Sequence, residues 1–515
     1  MSFTLTKSAQ GKQRFCIVLF CFVVHASLFS QIQQLARFEL PIDQGKESFT
    51  VISVQQSGLL LYRNIETAEG RQLELIRVDS TLKQVWQGYI PIDRDLVLLK
   101  SQVKPNVLFL LLKSRNYISG DFLILAVQLD NGRYSTYVVK NLIPFSPSQF
   151  NLTTEAALIG GYFNYRPLIV YYNFLNRQSK VLPGFLNEPG ELDQVRTNLD
   201  GSVDVIVSGK NFERKNCLWL RNYDNQGSLV KTILLTPDEK RSLIFGSSMQ
   251  ASNGEQIVSG VYGRYSSYSR GIFVAVINPV GEYTIRYYNF SELQHFFNYM
   301  KAGRERRIKS RIERRKIKGK KSKFNYRFLV HELIPYNNQY ILIGEAFYPH
   351  YSYSSSPFRT FNYNNLSRSS STPLYRDGLI FDGYDYTHAV VIGFDKGGKL
   401  LWDNSFEIND VRSMQLEQFI KIQPEEDRVV LLYLFENAVR SKIIKGADVL
   451  EGKTTDVLNS EETEKKAKAK SVENSKLDYW YDHYFFAFGN KTLQSDKGNE
   501  ENKRKIFFIN KITYK

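Results

Sequence analysis

Short apolar runs separated by turns recur along most of the chain, with the length and alternation of β-strands. The repeating unit is an apolar run, a turn that contains Asp or Asn, and a second run, as in 217–235 (CLWLRNYDNQGSLVKTILL). Four further copies lie at 73–92, 122–143, 272–290 and 389–408. Each copy is predicted to be a β-hairpin, because two β-rich runs flank a short turn.

The turn residues of the five copies share one chemistry. An Asp or Asn side chain can accept hydrogen bonds from the backbone two residues on, and the Gly that follows in four copies tolerates a positive φ. The acidic or amide position is taken by Asp79, Asp130, Asp224, Asn278 and Asp395, and the glycines are Gly132, Gly227, Gly281 and Gly398.

Another pair of apolar runs precedes each hairpin, for example at 49–64 and 203–211. Four strands per unit, repeated along a chain, predict a β-propeller. We count seven units, which open near residues 49, 96, 150, 192, 242, 324 and 413. The predicted fold is all-β, a single seven-bladed β-propeller, whose ring is closed by strands from the two ends (36–42 and 504–514). An open array or a pair of β-sandwiches is the alternative.

Four stretches without strand patterning are interpreted as insertions between strands of the propeller, which is assigned to 31–515. One is basic, one is rich in Ser, Tyr and Asn, one is charged and predicted to be disordered or a solvated helix, and one is polar. In chain order these insertions are 300–323, 349–381, 441–478 and 489–503.

Residues 1–30 have the pattern of a signal peptide. Lys7, Lys12 and Arg14 precede an apolar run at 15–24, which is too short for the ~20 residues of a spanning helix. We expect export to the periplasm or to an outer-membrane-associated location, and an uncleaved anchor is the alternative. Cleavage leaves Cys217 as the single cysteine, so no internal disulfide is expected.

One repeat resembles a known family. The residues Phe394-Asp395 and Gly398 to Trp402 look like the Trp-containing turn of quinoprotein-type and WD40-like propeller repeats, and Val78 to Trp86 is a weaker copy. The resemblance implies the propeller fold. Quinoproteins bind their cofactor with calcium and often a vicinal Cys pair, which this chain lacks, so no cofactor is expected. The chain is more similar to exported, non-enzymatic propellers of the Gram-negative cell envelope. This implies a non-catalytic interaction or scaffold module with protein partners.

Composition and motifs narrow the function without identifying it. Of 515 residues, 43% are hydrophobic and 23% charged, which excludes collagen-like, wholly disordered and polytopic membrane proteins. The sequence has no HExxH, CxxC, P-loop, GxGxxG or GxSxG motif, and its six His are scattered. We therefore predict no metal site, and a non-enzyme is favoured over an enzyme.

The net charge of +16 is concentrated in one segment. Residues 301–323 contain 13 Lys and Arg and two Glu, and three isoleucines (308, 312 and 317) form a weak helical stripe. No aromatic residues interleave to stack on bases, so nucleic acid is not the expected partner. The expected partner is an anionic membrane surface or an acidic partner, and the alternative is that the segment is only a solvated loop. The predicted basic patch comprises Arg304, Arg306, Arg307, Lys309, Arg311, Arg314, Arg315, Lys316, Lys318, Lys320 and Lys321.

The densest polar and aromatic cluster lies at 381–388 (FDGYDYTH). Carboxylates, phenols and an imidazole could bind a sugar or a cation, or act in acid–base chemistry. The alternative function is therefore a periplasmic propeller enzyme or a carbohydrate-binding protein. The plainer interpretation is a turn at Asp382-Gly383 that leads into a strand. The candidate binding residues are Asp382, Tyr384, Asp385, Tyr386 and His388, with Glu345 from a neighbouring strand.

Overall fold

The computed structural model shows an all-β chain with a single α-helix among the residues that it describes. The predicted signal peptide and most of 349–381 lie outside these residues. The described ranges are 32–43, 46–68, 70–115, 120–141, 143–185, 189–238, 241–251, 254–264, 268–352, 375–376, 379–458, 468–494 and 503–514.

The described strands form eight antiparallel sheets, which are the blades of a β-propeller. Blade I contains β2 (Thr50–Ser53), β3 (Leu59–Thr67), β4 (Gly70–Val78) and β5 (Gln84–Ile92), with a 3₁₀ turn at Gln55–Ser57. Blade II contains β6 (Leu96–Lys104), β7 (Val107–Ser114), β8 (Phe122–Gln128) and β9 (Tyr134–Val139). Blade III contains β10 (Ser146–Leu152), β11 (Ala156–Phe163), β12 (Arg166–Asn173) and β13 (Ser179–Val181). Blade IV contains β14 (Gly190–Thr197), β15 (Val203–Lys210), β16 (Asn216–Tyr223) and β17 (Leu229–Leu235).

The remaining blades include one that is larger than the rest. Blade V contains β18 (Ser242–Gln250), β19 (Gln256–Gly263), β20 (Ser269–Ile277) and β21 (Tyr283–Asn289), and helix α1 (Ala302–Ile317) follows it. Blade VI contains β22 (Arg327–Val330), β23 (Ile334–Tyr336), β24 (Gln339–Ser352), β25 (Tyr375–Arg376), β26 (Leu379–Phe394), β27 (Leu400–Glu407) and β28 (Arg412–Ser413). Blade VII contains β29 (Lys421–Pro424), β30 (Val429–Phe435), β31 (Ala438–Lys445) and β32 (Asp448–Val457). Blade VIII contains β33 (Lys468–Tyr481), β34 (Tyr484–Gln494), β35 (Lys503–Tyr514) and β1 (Ile32–Ile42).

Apolar side chains hold each blade against the next. The described core divides into eight clusters, and each cluster joins two consecutive blades. The cluster between blades VIII and I includes Trp480 and Phe507 from one side and Leu59 and Val78 from the other. Because this cluster joins the last blade to the first, the ring is closed.

Blade VIII is shared between the two ends of the described chain. Strand β1 pairs antiparallel with β35, from Ile32 opposite Tyr514 to Ile42 opposite Lys505. The two predicted end strands therefore lie next to each other.

The predicted count of seven blades is wrong, because the structure has eight. The missed blade arises in 441–478, where the sequence shows no strand patterning. Strand β31 ends there at Lys445, β32 completes blade VII, and β33 begins blade VIII. Strand β32 is the outer edge of its sheet, and most of its side chains are exposed. An exposed edge strand needs no apolar alternation, and charged residues protect it from pairing with other chains.

The Asp and Asn turns form hairpins as predicted. The Asp224 carboxylate accepts the backbone N–H groups of Gln226 and Ser228 at 3.0 and 2.7 Å, between β16 and β17. Asp395 accepts the N–H of Lys399 at 2.7 Å, between β26 and β27. The Asp130 turn differs, since Asn131 accepts the local N–H and Asp130 instead pairs with Asn106.

The first strands of the blades surround the axis of the ring. One cavity near this axis has a volume of about 630 Å³. Its lining includes residues of β14, β18, β29 and β33, together with Val330 of β22 and the two residues that follow it. The two faces of the ring differ in the strand ends and turns that lie on them. The upper face is where Thr50, Leu96 and Arg327 begin their first strands, and the lower face carries the Asp224 and Asp395 turns.

Candidate interaction surface on blade VI

Helix α1 forms a basic surface beside blade VI. It connects β21 to β22 and therefore lies on the upper side of the ring. Eight of its 16 residues are Lys or Arg, and two are Glu. Seven of the eight basic side chains are exposed: Arg304, Arg306, Arg307, Lys309, Arg311, Arg314 and Lys316.

Two isoleucines attach α1 to the propeller. Ile308 and Ile312, one turn apart, pack against the apolar cluster between blades V and VI, whereas Ile317 is 77% exposed. The Lys309 ammonium also donates to Asn298 at 3.0 Å, and Phe297 contacts Phe324 across the base of the excursion. The helix is thus docked along one side, with its charge directed to solvent.

Blade VI also carries the longest hairpin in the described structure. Strands β24 and β26 stay paired beyond Phe347, where β22 ends its contact with β24. The paired extension consists of 348–352 and 380–385, and it rises above the upper face. It places the predicted residues Asp382 and Asp385 on a projection of the ring.

Arg412 joins these two carboxylates. Its Nε and Nη2 donate to the two oxygens of Asp385 at 2.6 and 3.2 Å, and its Nη1 donates to Asp382 at 3.0 Å. His350 approaches the same Asp385 carboxylate at 3.0 Å. The hydrogen bonds to Asp385 raise the pKa of Arg412. Sequence reasoning missed Arg412, because 27 residues separate it from Asp385 and no local pattern links them.

Glu345 lies elsewhere in the blade and is fully buried. Its carboxylate accepts the backbone N–H of Ile420 at 2.7 Å and that of Phe419 at 3.1 Å. The His331 Nε2 is 3.1 Å away. Glu345 therefore ties the segment that enters blade VII to blade VI.

His388 faces the opposite side of the sheet from Glu345. It is paired with Ala346, and neighbouring strand residues point to opposite faces. The imidazole is fully buried and stacks on Tyr299, with ring centroids 3.8 Å apart, while Phe296 packs edge-on at 4.8 Å. Its Nδ1 is 2.9 Å from Thr387 Oγ1, and its Nε2 has no hydrogen-bond partner among the described residues. Burial lowers the pKa of His388 to about 3.

The two predicted tyrosines are buried as well. Tyr386 donates its hydroxyl to the Glu417 carbonyl at 3.0 Å, and burial raises its pKa. The Tyr384 hydroxyl has no hydrogen-bond partner within the described part of the chain. The structure thus brings Asp382 and Asp385 together and separates them from Glu345 and His388. A binding role for these residues stays a prediction.

We expect His388 to make the fold sensitive to acid. Its folded pKa of about 3 lies below the ordinary 6.5, so below pH 6.5 the unfolded chain binds a proton that the folded chain does not. The free energy of unfolding is unaffected above pH 7 and falls with pH, by about 3 kcal/mol at pH 4. His388→Phe should therefore lose less stability than the wild type between pH 7 and pH 4 in urea unfolding. Equal losses in the two proteins would contradict this assignment.

Two kinds of feature are missing from the described residues. No group of three or more His, Cys, Asp or Glu side chains there could hold a metal ion. None of the helices in the described ranges has the length and apolar character that crossing a bilayer requires.

The fold defines the chain as a member of the β-propeller class. No family model matches it, and no curated protein matches it. Among solved structures it is similar to polysaccharide lyase Uly1, at 11% identity and a TM-score of 0.39, over 80% of this chain and 89% of that chain. It is also similar to the propeller domain of the Trilobed protease from Pyrococcus furiosus, at 9% identity and 0.35, over 80% and 98%. A prolyl endopeptidase matches at 9% and 0.41, over 88% of this chain and 55% of that one. At these values the comparisons carry no argument about activity, and the propeller assignment rests on the eight sheets and the interblade clusters.

Proposed function

We propose that the chain is an exported, non-catalytic interaction module of the bacterial cell envelope. In this proposal α1 holds the propeller against an anionic lipid surface, and the β24–β26 hairpin on the same face contacts a protein partner. The observation that carries it is the docking of α1 by Ile308 and Ile312, which fixes a strongly basic helix on the ring with its charged side chains exposed.

The chemistry of α1 favours a charged surface over an apolar one. Its two docked isoleucines pack against the propeller, which leaves Ile317 as its exposed isoleucine. Attraction between Lys or Arg and an anionic leaflet is worth about 1 kcal/mol per residue near the surface. This attraction is screened by salt, since the Debye length is about 8 Å at physiological ionic strength. The proposal that the chain is exported is supported by the signal-peptide pattern of residues 1–30.

Neutralising the exposed side of α1 should release the protein from anionic vesicles. The test variant carries Arg→Gln at Arg306, Arg307, Arg311 and Arg314, and the probe is phosphatidylglycerol-containing vesicles in a sedimentation assay. We expect about a thousandfold weaker partitioning at low salt, since four charges at ~1 kcal/mol each amount to about 4 kcal/mol. The wild type should also dissociate as the salt concentration rises.

A matched control removes the same charge from the lower face. Lys83, Arg133, Lys396 and Lys399 are exposed near the lower hairpin turns, and their replacement by Gln should leave vesicle binding unchanged. If both variants bind like the wild type, α1 is not a membrane contact. The wild type could instead fail to bind vesicles and bind an acidic envelope protein through α1. In that case the lipid assignment is wrong and the interaction role stands.

A further inference from the structure

A second cavity opens on the upper face between blades I and II. Its volume is about 360 Å³, and its walls come from the start of blade I, the middle of β3 and the middle of β6. It lies away from the blade VI surface, and its polar side chains are of a different kind. Its charged side chains and aliphatic hydroxyls belong to Arg63, Lys100, Ser48, Thr50, Ser101 and Glu47.

Arg63 is a buried cation with unused hydrogen-bonding capacity. The residue is 8% exposed, its Nε donates to Glu74 at 2.6 Å, and its guanidinium lies 4.1 Å from the centre of the Phe49 ring. Its Nη1 is buried and has no acceptor among the residues that the structure describes. A buried donor without an acceptor is costly, so an acceptor brought within reach of this guanidinium would be bound favourably.

Lys100 supplies a second positive charge at the same cavity. Its side chain is exposed on β6, four residues after the strand begins. The Ser101 hydroxyl accepts from Tyr62 at 3.2 Å and keeps its own proton to donate, whereas the Ser48 hydroxyl already donates to Asn490 at 3.1 Å. The carboxylate in the lining belongs to Glu47, whose Oε2 accepts from the Asn64 amide at 3.3 Å.

We propose that this cavity binds an oxyanion group, a carboxylate or a phosphate, of a small molecule. The Arg63 guanidinium would donate while its Nε stays with Glu74, Lys100 would neutralise the remaining charge, and the Thr50 and Ser101 hydroxyls would complete the oxygen contacts. Hydrogen bonds between charged partners are about twice as strong as neutral ones, and guanidinium is suited to planar or tetrahedral oxyanions. The site is independent of α1 and of the proposed membrane contact.

The test is calorimetric titration of the full chain with sodium phosphate and with sodium acetate, at constant ionic strength against chloride. We expect saturable binding of at least one probe at millimolar concentrations, weakened about fivefold or more by Lys100→Gln through loss of one ionic contact. Lys104→Gln removes the same charge at the last residue of β6, outside the cavity lining, and should bind like the wild type. Arg63→Lys keeps the charge beside Glu74 but lacks the further guanidinium nitrogens that would donate to the ligand. This variant should also bind the probe more weakly.

The outcomes separate the alternatives. Binding of phosphate alone identifies a phosphate-bearing ligand, and binding of acetate identifies a carboxylate. No binding of either probe, or equal effects of Lys100→Gln and Lys104→Gln, would overturn the proposal. Lys100 is exposed, so its variant should fold like the wild type, and thermal unfolding of each variant checks this.

Discussion

A chain that lacks β1 should be less stable by about 5 kcal/mol or more, because it loses two buried isoleucines and the outer hydrogen-bonded ladder of blade VIII. Strand β1 is paired with β35 along its length, and Ile32 and Ile42 are 6% and 4% exposed. Deletion of 32–42 would also leave the edge of β35 unpaired, which promotes aggregation. The measurement is urea unfolding followed by circular dichroism, with light scattering for aggregation.

A circular permutant is the control for this deletion. Ile32 lies opposite Tyr514, so a short turn can join the two ends, and new ends can be opened between blades VII and VIII, after Leu458. The permutant keeps every strand and should match the stability of the wild type. If the deleted chain unfolds at the same urea concentration as both, β1 does not contribute to closing the ring.

Glu345→Ala should cost about 3–5 kcal/mol, since removing one partner of a buried charged network leaves the others uncompensated. The backbone N–H groups of Phe419 and Ile420 and the imidazole of His331 would lose their acceptor. Ile420 is fully buried, so water cannot replace the carboxylate there without rearrangement. Glu345→Gln keeps one acceptor oxygen and should lie between Ala and the wild type.

Glu332→Ala is the matched control for this substitution. The Glu332 side chain is 68% exposed, and its approach to Arg196 is 3.9 Å, so its removal should change stability by less than about 1 kcal/mol. The measurement is urea unfolding at neutral pH. A Glu345→Ala protein as stable as the Glu332→Ala protein would show that Glu345 does not secure blade VII.

The blade architecture was predictable wherever strands are apolar and turns carry Asp or Asn. The hairpins at Asp224 and Asp395 have local signals, because the side chain and its backbone partners lie within four residues. The eighth blade has no such signal. In β33, Leu477 and Trp480 are buried near the end of the strand, and the strand follows a polar edge strand.

The blade VI site was predictable only in part, because it depends on register. Asp382 and Asp385 lie close in sequence and in space. Glu345 and His388 lie on adjacent strands, but the pairing of Glu345 with Ala389 turns their side chains to opposite faces of the sheet. A shift of one residue would have brought them together, and sequence patterning does not fix register at this precision.

The placement of β1 also determines the order in which the ring can form. Seven blades are built from contiguous strands, and such local contacts form quickly. Strand β1 must wait for β35, which is more than 460 residues further along the chain. Among the strand pairings of the described residues, this one carries the largest loop-closure entropy, although the cost grows only with the logarithm of loop length. Blade VIII is therefore completed after the other seven during synthesis, and until then β1 remains an unpaired strand of the growing chain.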